Sequence, residues 1–174
     1  DNPAAAAVDG KQLPWLAGDF APQWIEIQLG EPSTIQRVGL LVAQWPAGEA
    51  RHQVTARLAD GRSILLAHNQ RYLASEQILS YQLDVPLSDV VAVRITSLAG
   101  PAWAAWNEVE VISAPASDTE ACILSAAESV ALREGPGADY EATGTLSTDE
   151  LLYTDGYTLD ESGEKSWYVG GESL

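Results

Sequence analysis

The sequence predicts an all-β chain: an antiparallel sandwich or barrel over residues 1–114, then a small β-barrel over residues 115–174. Three observations predict it. No stretch holds apolar residues at i, i+3, i+4 and i+7 for three turns without Pro or Gly interrupting. Short alternating segments recur along the whole chain instead. Finally, the composition changes at residues 113–119, where small, polar and proline residues replace any period.

The strands follow in order. Trp24-Ile25-Glu26-Ile27-Gln28-Leu29 alternates cleanly, with Ile25, Ile27 and Leu29 on one face. Arg37 to Val42 is mostly apolar and suits a strand covered on both sides. His52 to Leu58 places Val54, Ala56 and Leu58 together, and Asp60-Gly61 then turns the chain into Ser63 to Leu66. Gln77 to Leu83 and Val90 to Thr96 are two further strands, with 84–89 read as a loop between them. Asn107 to Ile112 alternates again, opposing Val109 and Val111 to Glu108 and Glu110. Seven or so strands at this spacing specify a sandwich or barrel.

Beyond the linker, short strands are expected at Val130 to Leu132, Ala142 to Leu146, Leu151 to Tyr153 and Trp167 to Val169. A unit of this size lies near the lower limit for a free-standing core. Charge changes at the same linker. Residues 1–114 carry 12 acids against 7 bases, while residues 115–174 carry 13 against 2.

The total charge of −16 excludes nucleic acid as a partner, because phosphate contacts need clustered Lys and Arg. It also excludes an anionic lipid surface as the main partner. No apolar run approaches the ~18 residues that cross a bilayer, so no membrane insertion is expected. The sequence contains no Met, so Asp1 is read as something other than a translation start, in a processed or longer chain. Cys122 is the single cysteine. It is read either as a small buried hydrophobe or as half of a bridge to a partner beyond Leu174 or in another chain.

Residues 5–113 resemble the discoidin family, the coagulation factor V/VIII C-domain or galactose-binding-like fold that includes the family-32 carbohydrate-binding modules. The resemblance rests on Ala7-Val8-Asp9-Gly10, on Trp24 to Gly30, on Val91-Ala92-Val93-Arg94-Ile95 and on the closing run from Pro101 to Val111. Residues 115–174 resemble a bacterial SH3 domain. Here the matching residues are Val130-Ala131-Leu132-Arg133-Glu134-Gly135-Pro136-Gly137-Ala138-Asp139-Tyr140, Gly144-Thr145-Leu146 and Trp167-Tyr168-Val169. That family continues past its Trp-Tyr strand, so the barrel is expected to be truncated at Leu174, or completed by another chain.

The first resemblance implies an antiparallel jelly-roll β-sandwich over residues 1–114 that recognises a sugar on loops at one end. C–H faces of a sugar pack on aromatic rings while its hydroxyls meet planar polar groups. Trp45, Trp103 and Trp106 are the stacking candidates, and His52 and Arg71 the hydrogen-bonding ones. Each has a plainer reading: core packing for the rings, an ordinary strand residue for His52, local charge relief for Arg71. Trp24 is expected to be structural. The resemblance also implies a structural Ca2+ held by Asp9, Glu108 and carbonyls of the Lys11–Leu13 turn; a loop pinned by hydrogen bonds is the alternative. The second resemblance implies a peptide or cell-wall ligand in a groove lined by Tyr140, Tyr153, Tyr157, Trp167 and Tyr168.

No catalytic constellation emerges, so the chain is not expected to be an enzyme. Glu108 and Glu110 share a strand face without a cleft, and the second unit has no His to serve Cys122. The leading expectation is a non-catalytic bacterial protein, extracellular or at the cell surface, that binds a glycan or cell-wall ligand through loop aromatics. The alternative is a structural subunit of a surface layer, appendage or larger complex, whose partners are other protein chains.

Overall fold

The computed structural model describes residues 2–11, 13–159 and 165–169. Twelve strands and one short 3-10 turn (Ala4–Val8) make up its regular structure. The strands are β1 (Trp15–Phe20), β2 (Gln23–Val42), β3 (Gly48–Leu58), β4 (Ser63–Leu73), β5 (Ile78–Ala99) and β6 (Trp103–Ser113). After the linker come β7 (Ile123–Ser125), β8 (Val130–Arg133), β9 (Ala142–Leu146), β10 (Leu151–Tyr153), β11 (Tyr157–Leu159) and β12 (Lys165–Trp167).

Eight strands form one sheet in the order β1-β6-β2-β5-β3-β4-β10-β7. Two long strands turn that sheet into a sandwich. The first half of β2 pairs through Gln23–Gln28 with residues 92–97 of β5, which pair onward with β3. Its second half, Arg37–Leu41, pairs with residues 78–82 of β5 and, on its other side, with β6. Pairing slips between Gln28 and Arg37, where the strands change from one layer to the other. Both layers contribute to a single apolar core: Ile25, Val54, Ile64, Leu66, Val93 and Ile95 meet Val38, Leu40, Leu79, Tyr81, Trp106 and Val109.

This corrects the reading of residues 84–89 as a loop. They remain extended, with Leu87 buried and Asp89 in the left-handed region at φ 61°. A strand that bends between two layers loses its alternation at the bend, which makes it look like a loop in sequence. The Asp60-Gly61 hairpin forms as expected. Gly61 sits at φ 89°, and the Asp60 carboxylate accepts from the Arg62 amide at 3.0 Å. β1 escaped sequence detection because Trp15-Leu16-Ala17-Gly18-Asp19-Phe20 does not alternate; its register against β6 shifts around Gly18, which lies at φ 78°.

The residues after 114 lie against this sandwich. β10 pairs with β4 in parallel and with β7 antiparallel, so the sheet is mixed rather than purely antiparallel. Tyr153 is buried in the main core and its hydroxyl bonds both the amide and the carbonyl of Val85, at 3.0 and 3.1 Å. Burial pushes that phenol well above its ordinary pKa. A smaller core joins Leu65 of β4 to Ala126, Leu132, Leu146 and Leu152. The remaining strands form two separate pairs, β8–β9 and β11–β12. The expected end of the barrel at Leu174 lies outside the described residues.

β9 is fastened to the sandwich at one tight point. Arg51 donates to the Thr143 carbonyl at 2.8 Å, and the Thr143 hydroxyl meets His68 Nε2 at 3.1 Å. Gly144 lies so close to the His68 ring that a Cβ there would fall 2.6 Å from Cε1. Gly144→Val is therefore expected to push β9 off β4 at a cost of about 1–3 kcal/mol. A lower thermal midpoint checks this, and an unchanged one refutes the contact.

Candidate functional site

One end of the sandwich gathers the connections between strands. Phe20 closes β1, Trp45 lies in the 43–47 connection between β2 and β3, Ser75 in the connection before β5, and Trp103 opens β6 after Gly100-Pro101. These residues line a groove of about 500 Å³ together with Pro14, Leu16, Pro46, Pro101 and Asn107. The rings are strongly solvated: Trp45 is 86% exposed, Phe20 53% and Trp103 49%. Apolar rings left in water around a concavity mark a place for a partner.

The loops holding these rings are tied down. Gln44 Nε2 donates to the carbonyls of Gly48 and Leu73, at 2.9 and 3.2 Å. The Ser75 hydroxyl donates to the Gln44 carbonyl at 2.9 Å, and Asn107 Nδ2 to the Val42 carbonyl at 2.9 Å. Gly48 lets Pro101 approach, since a Cβ there would lie 3.0 Å from the Pro101 ring. The groove is thus held in shape before any ligand arrives, which lowers the entropy lost on binding.

Its electrostatics differ from those of the whole molecule. Among the described residues, no charged side chain lines the groove, although the chain carries −16. Ser75, Asn107 and the indole N–H groups are its polar side-chain groups. That composition suits a neutral ligand presenting both C–H faces and hydroxyls.

Three of the proposed binding side chains do not line the groove, and two of those lie in the core. Trp106 is 4% exposed and His52 2%, so both belong to the core behind the groove. The reason is strand parity: His52 alternates with Val54 and Ala56 on the inner face of β3, and Trp106 faces inward from β6. Their rings meet edge-on, with centroids 5.4 Å apart, and His52 Nε2 hydrogen-bonds the Tyr81 hydroxyl at 2.5 Å. Burial, with the charges of His68 and Arg71, pushes the His52 pKa down to about 4. Arg71 is half-buried on β4 opposite Ala50 and does not line the groove.

Trp24 departs from expectation in the opposite direction. It is exposed on the outer face of β2, with the Arg94 guanidinium 4.2 Å from its ring centre. Arg94 and Arg57 both pair with Glu26. Burial alone would raise the Glu26 carboxyl, but hydrogen bonds and charge from the two guanidiniums hold it below its ordinary pKa. Cys122 is exposed, which removes its reading as a buried hydrophobe. Of the aromatics expected in the second unit's groove, Tyr153 is buried, while Tyr140, Tyr157, Trp167 and Tyr168 are exposed.

Asp9 and Glu108 do approach one loop. Glu108 Oε2 accepts from the Gly10 amide at 3.2 Å, and Asp9 accepts from the Lys11 amide at 2.9 Å and from its ammonium at 3.3 Å. Among the described residues no third acidic, His or Cys side chain joins them. Gln12, in the turn expected to add carbonyls, lies outside the described residues. As placed, these carboxylates pin a loop through N–H donors. Glu110, the other carboxylate of that strand, pairs with Arg37 at 3.0 Å.

Phe20 is the groove residue that sequence reasoning missed. It is the single Phe in the chain and directly precedes Ala21-Pro22, a signal that the strand ends there. Nothing in the sequence says that it shares a groove with Trp45 and Trp103.

No family model matches the chain, and no curated protein matches it. Solved structures do match. The family-32 carbohydrate-binding module of NanJ from C. perfringens, solved in complex with galactose, aligns at 19% identity and a TM-score of 0.55, covering 63% of this chain and 84% of its own. A family-32 module from a family 31 glycoside hydrolase of Clostridium perfringens aligns at 18% identity and a TM-score of 0.55, covering 63% of this chain and 83% of its own. The module of AlyQ, in complex with 4,5-unsaturated mannuronic acid, aligns at 17% and 0.54, covering 64% and 86%. The likeness, at these identities, is one of fold: about two-thirds of this chain has the β-sandwich of the family-32 carbohydrate-binding modules.

Proposed function

We propose that the chain is a non-catalytic carbohydrate-binding protein acting outside the bacterial cell, and that Trp45, Trp103 and Phe20 form its sugar platform. The observation that carries this reading is the uncharged groove with three solvated rings at the loop end of the sandwich. Modules sharing this fold were solved with galactose and with 4,5-unsaturated mannuronic acid. The present groove is lined by no basic side chain among the described residues, which favours a neutral sugar over a uronic acid. A glycan array probed with the whole chain tests the reading. Saturable binding concentrated on neutral glycans is expected, and no saturable binding to any sugar overturns it.

The segment after the linker is read as a bacterial SH3-like unit that accompanies the sugar-binding sandwich. Its turn supports this: Tyr140 lies on Gly135, and Arg133 donates to the Tyr140 carbonyl at 2.7 Å. Calcium is a separate question. Because the Asp9–Glu108 loop is already closed by N–H donors, EGTA is expected to leave the melting temperature unchanged. A higher midpoint in added calcium would show that the carboxylates turn to a metal, since a ligand bound to the native state must stabilise it.

A further inference from the structure

Behind the aromatic groove lies a second, smaller cavity of about 30 Å³. Ala43, Ala102, Trp103 and Ala105 line both spaces, so the two share a wall. His52 and Trp106 line the inner one. Each is more than nine-tenths buried, and each has one nitrogen without a hydrogen-bond partner: Nδ1 of His52 and Nε1 of Trp106. Arg51 also lines this cavity and its Nε is likewise unpaired, and three such nitrogens on one small cavity are unusual, because a buried polar group left unpaired costs about 1–3 kcal/mol.

We propose that this cavity is a binding site for one hydroxyl oxygen, held between Trp106 Nε1 and His52 Nδ1. The chemistry selects that guest. The indole N–H only donates, so the guest must accept. The His52 ring is neutral at ordinary pH because burial disfavours its cation, and its other nitrogen is committed to Tyr81. Nδ1 therefore accepts in one tautomer and donates in the other. A hydroxyl oxygen satisfies either tautomer, because it both donates and accepts; an ammonium cannot accept, and a methyl group can do neither. Volume sets the size, since a single water needs roughly 10–15 Å³ and the cavity offers little more than twice that.

Two sources supply such an oxygen. One is a resident water, which completes the core beneath the groove whatever the groove binds. The other is a sugar hydroxyl passing the wall at Trp103, which would make the cavity a recognition subsite and rests on the carbohydrate reading. A high-resolution crystal structure of the whole chain, alone and with saturating galactose, separates them. An oxygen peak within hydrogen-bonding distance of both nitrogens is expected in the unliganded crystal. If it persists with galactose, the water is structural; if a galactose hydroxyl replaces it, the site takes part in recognition. Galactose failing to bind the groove leaves the first result standing.

A solution measurement stands beside the crystal. The Trp106 indole N–H is expected to show an NMR cross-peak to a long-lived water, distinct from the exchange-broadened indoles of Trp45 and Trp103. A cavity empty in both crystals, with no such cross-peak, overturns the proposal.

Discussion

Replacing Trp45 and Trp103 together by alanine is expected to abolish glycan binding while leaving the fold intact. Trp45 stands almost wholly in water and Trp103 is half-exposed, so removing them costs little beyond the packing of Trp103 on the wall of the inner cavity. An exposed position such as Trp45 changes stability by about 0.5 kcal/mol or less, a shift of about 2 °C in a chain this size, and Trp103 adds a cost well below that of a core ring. Aromatic anchors at a binding centre contribute about 2 kcal/mol or more each, close to ~30-fold in affinity. Single variants should therefore weaken binding by roughly that factor, and the pair should bring it below detection. Titration by calorimetry or array, paired with a melting curve, reads both quantities. Binding unchanged in the double variant would remove the groove from the mechanism.

Trp106→Ala provides the contrast. That ring is buried against His52 and Val42 lies opposite it in register, so truncation opens a cavity. The expected loss is about 3–5 kcal/mol, on the order of 10 °C in the melting temperature. Any fall in binding is then read against the loss of structure that the melting curve exposes.

The second large effect is on acid stability. His52 is buried with its pKa pushed down to about 4 from an ordinary value of 6.5. The unfolded chain therefore binds a proton between those two values that the folded chain refuses. Stability is fully present above pH 6.5 and falls as the pH drops through the window to 4. Integrated over that window, the linkage amounts to roughly 3 kcal/mol. His68, whose pKa burial also lowers, acts in the same direction with less effect because it is partly exposed. Glu26 acts in the same direction at the acid end, since its carboxyl is held below the ordinary 4.5 and its contribution starts to fade as the pH falls past that value. Chemical denaturation from pH 7.5 to 4 should show the slope, and His52→Gln, which cannot titrate, should flatten it. An NMR titration midpoint for the His52 ring near 6.5 would contradict the assignment.

Several elements could be read directly from residues. The alternation of Trp24 to Leu29, the Asp60-Gly61 turn and the strands at 142–146 and 151–153 all appear where local chemistry put them. Local signals suffice there, because period and turn preference act over a few residues. β1 had no such signal. Neither did the union of two expected strands into β2, or of two others into β5, since a bend between layers is set by what packs on each side.

The site divides the same way. Sequence nominated Trp45 and Trp103 because each sits beside Pro and Gly in a connection, and those rings do stand in water at the groove. It nominated Trp106 from its place in the resembled family's closing strand and His52 as a polar partner, but inner-face parity carried both into the core. It passed over Phe20 because proximity across four separate connections has no trace along the chain.

Composition and period by themselves determined the all-β class, the acidic surface and the positions of most strands, since these depend on neighbours a few residues apart. Which aromatic rings meet water, which histidine is entombed and which loops converge were decided only by the folded chain. Burial depends on contacts between residues distant in sequence: Glu108 with Gly10, Arg51 with Thr143, Tyr153 with Val85. Those contacts exist only once the two long strands have bent the sheet back on itself.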